Sequence, residues 1–155
     1  MVDYFVRNSS RGEMVRGALM GDLSRNFSRT EFACRCGCGE DRIHPDLIAT
    51  LQRARDIYSK SMTITSGVRC LDHNRAEGGS PTSSHLPKAR ATDDPRTFGV
   101  AIDVSVSGGA QRFQVADALI RAGFRRLGPA HRFIHADIDP EKQIPSLFTY
   151  DRPKG

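Results

Sequence analysis

Tryptophan is missing from this chain of 155 residues, and tyrosine occurs only three times. Surfaces that stack on nucleobases need aromatic faces set among basic side chains, so no nucleic-acid partner is expected. The formal charge is +5, which suits an anionic partner such as a bacterial wall polymer, but the Lys and Arg residues are scattered rather than gathered in a block. No apolar run approaches the roughly 18 residues of a membrane helix, so no membrane insertion is expected. The N-terminus MVDYFVRNSSRGEMVRG also lacks the apolar core of a secretory signal, which leads to the expectation that the protein does not leave the cell by the ordinary signal route. Internal repeats and low-complexity tracts are lacking too.

What is present suits one compact domain. Hydrophobic residues make up 38% and charged residues 26% of the chain, and a chain of this size buries a single core. Residues 1–23 read as an N-terminal arm and 24–155 as the domain. Ser28 and Glu31 stand at capping-box spacing and predict a helix start in NFSRTEF. Leu47, Ile48, Leu51, Ala54 and Ile57 recur at helical spacing behind Pro45, predicting a helix over 45–59. Phe113, Val115, Ala116, Leu119 and Ile120 predict a second helix over 111–121 with those residues as its core stripe, stopped at Gly123. Short β-branched runs at 62–65, 99–106 and 132–138 read as strands. Two helices against a small, mostly antiparallel sheet make an α+β fold.

Three residues in this pattern carry chemistry. His85, Asp103 and His135 lie in PTSSH, FGVAIDVSV and HRFIHADI. Two imidazoles and a carboxylate form a common catalytic zinc set, and three protein ligands leave a fourth position for water or substrate. An isolated histidine is more often a surface or satisfied core residue. Asp103 and His135, however, lie in apolar strand-like stretches where an inward-pointing ionisable group is costly without a partner or metal. All three ligands are expected on strand or strand-edge positions.

The run from Ile64 to Gly79, ITSGVRCLDHNRAEGG, followed by Ser83-Ser84-His85, Gly99-Val100-Ala101-Ile102-Asp103 and Phe133-Ile134-His135-Ala136-Asp137, resembles the M15 family of zinc D-alanyl-D-alanine peptidases. The likeness spans roughly Leu23 to Ile138, and several motifs in order are far more specific than any one. It is greatest to the bacterial and phage cell-wall branch, which shares the Hedgehog/DD-peptidase fold. The resemblance implies Zn2+ on His85, Asp103 and His135, Arg69 binding or polarising the substrate carbonyl, and Ser83 holding the substrate. It also implies a D,D- or L,D-type peptidase acting on peptidoglycan stems or cross-links at the bacterial wall or periplasm. Without an export signal, such a protein is expected as a phage endolysin freed by lysis or as a virion-borne enzyme with other virion proteins as partners. The alternatives are a non-catalytic wall-binding module stabilised by zinc and a structural module of a phage tail.

Two departures stand out. Family members separate the first His from the Asp by about seven residues, whereas here the polar stretch LPKARATDDPRT intervenes between His85 and Asp103. It reads as a surface loop overhanging the site, where added length costs little entropy. Many relatives also carry an acidic residue three positions before the last His, where this chain has Arg132. The candidates for the proton-transfer group are then Asp137, which alternation places on the face of His135, and His131 just before the strand. Asp137 has a second reading of equal standing, a carboxylate that orients a ligand. His73 and His44 are read as structural.

Cys34, Cys36 and Cys38 crowd into FACRCGCGED, and Cys70 follows Arg69 directly. A four-thiolate zinc, a disulfide from the cluster to Cys70, and free thiols are the three readings. Single-residue gaps fit zinc knuckles less well than the usual longer ones.

Overall fold

Alternation along two strands organises the domain. In β4 (Ala101–Ser105) and β6 (Phe133–Asp137), Ile102, Val104, Ile134 and Ala136 are fully buried in the core, and the residues between them face the other side of the sheet. The computed structural model describes residues 5–7, 14–16, 21–87 and 97–150. The 88–96 part of the expected overhanging loop, and most of the 1–23 arm, lie outside the described residues. Within the arm, β1 (Phe5–Arg7) pairs antiparallel with β2 (Met14–Arg16).

Five strands form the sheet, in the order β3-β4-β6-β5-β7, where β3 is Ile64–Ser66, β5 is Arg126–Pro129 and β7 is Ser146–Leu147. All neighbours run antiparallel except β5 and β7. The fold is therefore α+β with a mostly antiparallel sheet. No described helix is long and apolar enough to cross a membrane.

Two long helices cover the core face. α2 (Pro45–Tyr58) follows a short α1 (Arg29–Phe32) and begins with Pro45 in its first turn, the His44 ring accepting from the Asp46 N–H. It buries Leu47, Ile48, Leu51 and Ala54. The capping expectation holds at α1, where the Glu31 carboxylate accepts from the Ser28 N–H at 2.7 Å. α3 (Leu71–Ala76) is a single short stretch after β3.

α4 (Gly109–Ala122) corrects the expected stripe. Val115, Ala118, Leu119 and Ala122 are buried, while Phe113 is 74% and Ile120 56% exposed. Positions 115, 118, 119 and 122 fall on one face of a 3.6-residue helix, and 113 and 120 lie off it. Hydrophobicity was the wrong guide there, because the contact with α2 and the sheet admits only one narrow stripe.

Candidate metal centre

The strand register builds the centre. Asp103 of β4 is directly opposite His135 of β6, with Ser66 and Gly128 beside them on the flanking strands. Directly opposed residues share a face, so a carboxylate and an imidazole meet on the side away from the core. The expectation of strand or strand-edge positions holds for Asp103 and His135, whereas His85 lies in a turn beside the sheet edge and on no strand. That turn belongs to the described stretch 77–87 after α3, which is tied to the sheet edge by two backbone hydrogen bonds. The Arg69 N–H donates to the His85 carbonyl at 3.0 Å, and the Val100 N–H donates to the Ser84 carbonyl at 2.9 Å.

His85, Asp103 and His135 are all buried, and one ligand atom from each lies within 4.8 Å of the others. His85 Nε2 is 3.3 Å from His135 Nδ1 and 3.4 Å from Asp103 Oδ1, and His135 Nδ1 is 3.1 Å from the same oxygen. A tetrahedral ion with ligand bonds of about 2.0–2.1 Å spaces its donors about 3.3 Å apart, so the three separations match such an ion.

The outward-facing nitrogens set the tautomers. His85 Nδ1 lies 2.6 Å from the Gly67 carbonyl oxygen, and His135 Nε2 lies 2.7 Å from Asp137 Oδ2. Both partners are acceptors, so both outer nitrogens carry hydrogen. In its metal-binding form each ring then turns a bare lone pair inward, toward the other ring and toward an anionic oxygen. Three converging lone pairs repel unless a cation or a proton lies among them, and the donor set fits a divalent cation.

The charge balance shows the same demand. Burial alone pushes Asp103 upward, yet hydrogen bonds and charges from His135 and His85 outweigh it and hold the carboxyl well below its ordinary value. Burial alone pushes His135 down, and the Asp103 and Asp137 carboxylates outweigh that and raise it.

Arg69 reaches the group. Its Nη2 is 3.3 Å from Asp103 Oδ2, and its Nε donates to Ser66 Oγ at 3.0 Å. Asp137 is also brought in, but its carboxylate is occupied on the outer side of His135, where Arg126 Nε donates to it at 3.0 Å and the Asp139 N–H at 3.2 Å. Ser83 caps its own turn by accepting from the His85 N–H at 3.3 Å. His131 is not brought into the group: it is exposed on the turn between β5 and β6, its carbonyl accepting from Arg112.

Two aromatic residues went unnoticed in the sequence. The Phe148 ring centroid lies 5.7 Å and that of Tyr150 6.2 Å from the His135 ring. They pass over Gly128, where a Cβ would stand 2.3 Å from the Phe148 ring, so only glycine admits them as placed. The Arg126 guanidinium stacks 4.4 Å from the Phe148 centroid. Burial and the Asp103 charge push the Tyr150 phenol above its ordinary value, which keeps it a neutral donor. A signal was available in the aromatic pair at alternating positions after the last motif.

The family model described as Peptidase M15 matches residues 25–137, a span that includes the three converging residues, Arg69 and all four cysteines. No curated protein matches the chain.

Proposed function

The chain belongs to the Peptidase M15 family and is a metal-dependent peptidase by membership; from that premise we propose that its metal is zinc and its substrate a peptide bond of bacterial peptidoglycan, in stems or cross-links and next to a D-amino acid. The observation that carries the zinc assignment is the set of separations of 3.1, 3.3 and 3.4 Å among two imidazole nitrogens and one carboxylate oxygen. When bound, the ion supplies Lewis acidity toward the scissile carbonyl and activates water for attack.

The residues around it have separable roles in this reading. Arg69 donates to the carbonyl oxygen as negative charge builds there, a guanidinium already anchored by Ser66 and Asp103. In this reading Asp137 is a positioning residue that holds the ring and tautomer of His135, supported by the 2.7 Å contact between His135 Nε2 and Asp137 Oδ2. Ser83 keeps its hydroxyl hydrogen for a stem peptide, because its oxygen is the acceptor in the turn. Phe148 and Tyr150 wall the site beside His135. The peptidoglycan substrate and the D-amino acid rest on the motif resemblance, and the net charge of +5 suits an anionic wall. The wall-degrading role we assign is that of a phage endolysin or virion-borne enzyme.

A second reading, a wall-binding or phage tail module that keeps its metal for stability, draws on three observations about the missing proton-transfer group. Arg132 stands where many relatives carry an acid, His131 is turned to solvent and Asp137 is occupied by His135 and Arg126. Purified sacculi of several stem chemistries, incubated with zinc-loaded protein and searched by mass spectrometry for new free amines, separate the two. Release that stops with chelator and in His85→Ala supports the peptidase. Pelleting with the wall and no release from any chemotype supports the binder.

A further inference from the structure

We propose that the chain holds a second, structural metal ion on Cys34, Cys36, Cys38 and Cys70, a site distinct from the His85, Asp103 and His135 group. The four Sγ atoms lie within 4.8 Å of one another. Cys36 Sγ is 3.4 Å from Cys34 Sγ and 3.6 Å from Cys70 Sγ. Tetrahedral thiolates at a metal–sulfur distance of about 2.3 Å stand about 3.8 Å apart, whereas a disulfide brings two sulfurs to about 2.05 Å. All four are free thiols, and their spacing is that of ligands around one ion.

Two features of the chain produce this convergence in spite of the single-residue gaps. Gly37 and Gly39 adopt φ of +80° and +85°, a left-handed conformation that glycine enters without strain. The chain thus coils tightly enough for alternate residues to turn their side chains to one point, and the Cys34 N–H closes the loop on the Glu40 carbonyl at 2.7 Å. The fourth sulfur comes from the N-cap of α3, well away in sequence.

Backbone N–H groups and a histidine ring face the sulfurs. The Cys70 N–H donates to Cys34 Sγ at 3.3 Å, the His73 N–H to Cys70 Sγ at 3.4 Å and the Glu40 N–H to Cys38 Sγ at 3.5 Å. His73 Nδ1 lies 3.2 Å from Cys34 Sγ, and its Nε2 lies 3.6 Å from the Glu77 carboxylate. Donors of this kind orient and stabilise thiolates around a metal. Soft thiolates select zinc or a similarly thiophilic cation over magnesium or calcium. The ion would tie the 34–38 loop to the residue after Arg69, and so brace the segment from which Arg69 reaches Asp103.

The test is metal content, read by mass spectrometry on protein purified under reducing conditions and loaded with zinc chloride. Wild type is expected to hold two equivalents, and Cys36→Ser/Cys38→Ser and His135→Ala one each. Should the cysteine variant fail to fold, wild type alone decides: an organomercurial that caps thiols is expected to release one equivalent and leave the other until a chelator is added. With cobalt chloride, thiolate-to-metal charge-transfer absorption should persist in His135→Ala. One equivalent in wild type with none released by the mercurial would overturn the proposal, as would a disulfide mass shift in protein with the thiol cluster metal-free.

Discussion

Replacing Asp137 by asparagine distinguishes a residue that positions a ligand from one that moves a proton. Asp137 Oδ2 accepts from His135 Nε2 at 2.7 Å, a charge-assisted hydrogen bond worth about 1.5–3 kcal/mol net, against about 0.5–1.5 for its neutral counterpart. Asparagine keeps the shape and a neutral acceptor, so the loss is about 1–1.5 kcal/mol from this bond. Arg126, 3.0 Å from the same oxygen, loses its carboxylate as well. With about 1.4 kcal/mol for each factor of ten, this bond alone lowers metal affinity about 5- to 12-fold, reaching the low end of the 10- to 100-fold loss typical when a carboxylate behind a histidine ligand is removed. Competition against a chromophoric chelator measures that affinity directly, and turnover is then read at saturating zinc. The expected result is weakened metal binding with most activity regained at high zinc. Unchanged affinity with turnover abolished at saturating metal would refute the positioning role and make Asp137 the proton-transfer group.

Other outcomes follow from the same geometry. Metal and proton compete for the inner nitrogen of His135, whose affinity for the proton is raised above the ordinary 6.5, so metal binding near neutral pH should release protons and weaken as pH falls; buffer-dependent calorimetry that detects no proton release would contradict this. In the metal-free protein the sign reverses for His135: its stabilising charge is fully present below about pH 6.5 and lost as pH rises through the raised value. The Asp103 contribution, from a lowered carboxyl, is present above about pH 3.8 and lost on acidification through its folded value. Melting of chelator-treated protein across pH checks both. Arg69→Ala should retain its zinc yet lose about 100- to 1,000-fold in kcat/KM on a wall-derived peptide; near-normal turnover would remove Arg69 from the mechanism. Leu51→Ala, at a fully buried position of α2, should cost about 2–5 kcal/mol in denaturant unfolding, with zinc stoichiometry unchanged.

Much of the site was legible because a strand's period of two separates its faces. Alternation placed Asp137 on the face of His135, and the register of β4 against β6 brings Asp103 to that same face. α2 was legible for a similar reason, its apolar spacing and Pro45 agreeing with each other. Alternation reports a face but no partner, so it could not tell whether Asp137 meets solvent or the back of His135. β5 escaped notice because RLGP contains a glycine and a proline, residues that argue against a strand until its neighbours are known. Phe148 and Tyr150 belong to the site only through β5 and β7, pairings made across the sheet rather than along the chain. The four cysteines show the same limit: gap lengths alone argued against a shared ion, and backbone turns at Gly37 and Gly39 reverse that argument.

Anomalous scattering at the zinc edge from crystals of the zinc-loaded protein tests the central claim most directly. The predicted result is a peak about 2.0–2.2 Å from His85 Nε2, His135 Nδ1 and Asp103 Oδ1 together. No peak among these atoms, or zinc bound through the outer nitrogen of His135 in place of Asp137, would contradict it.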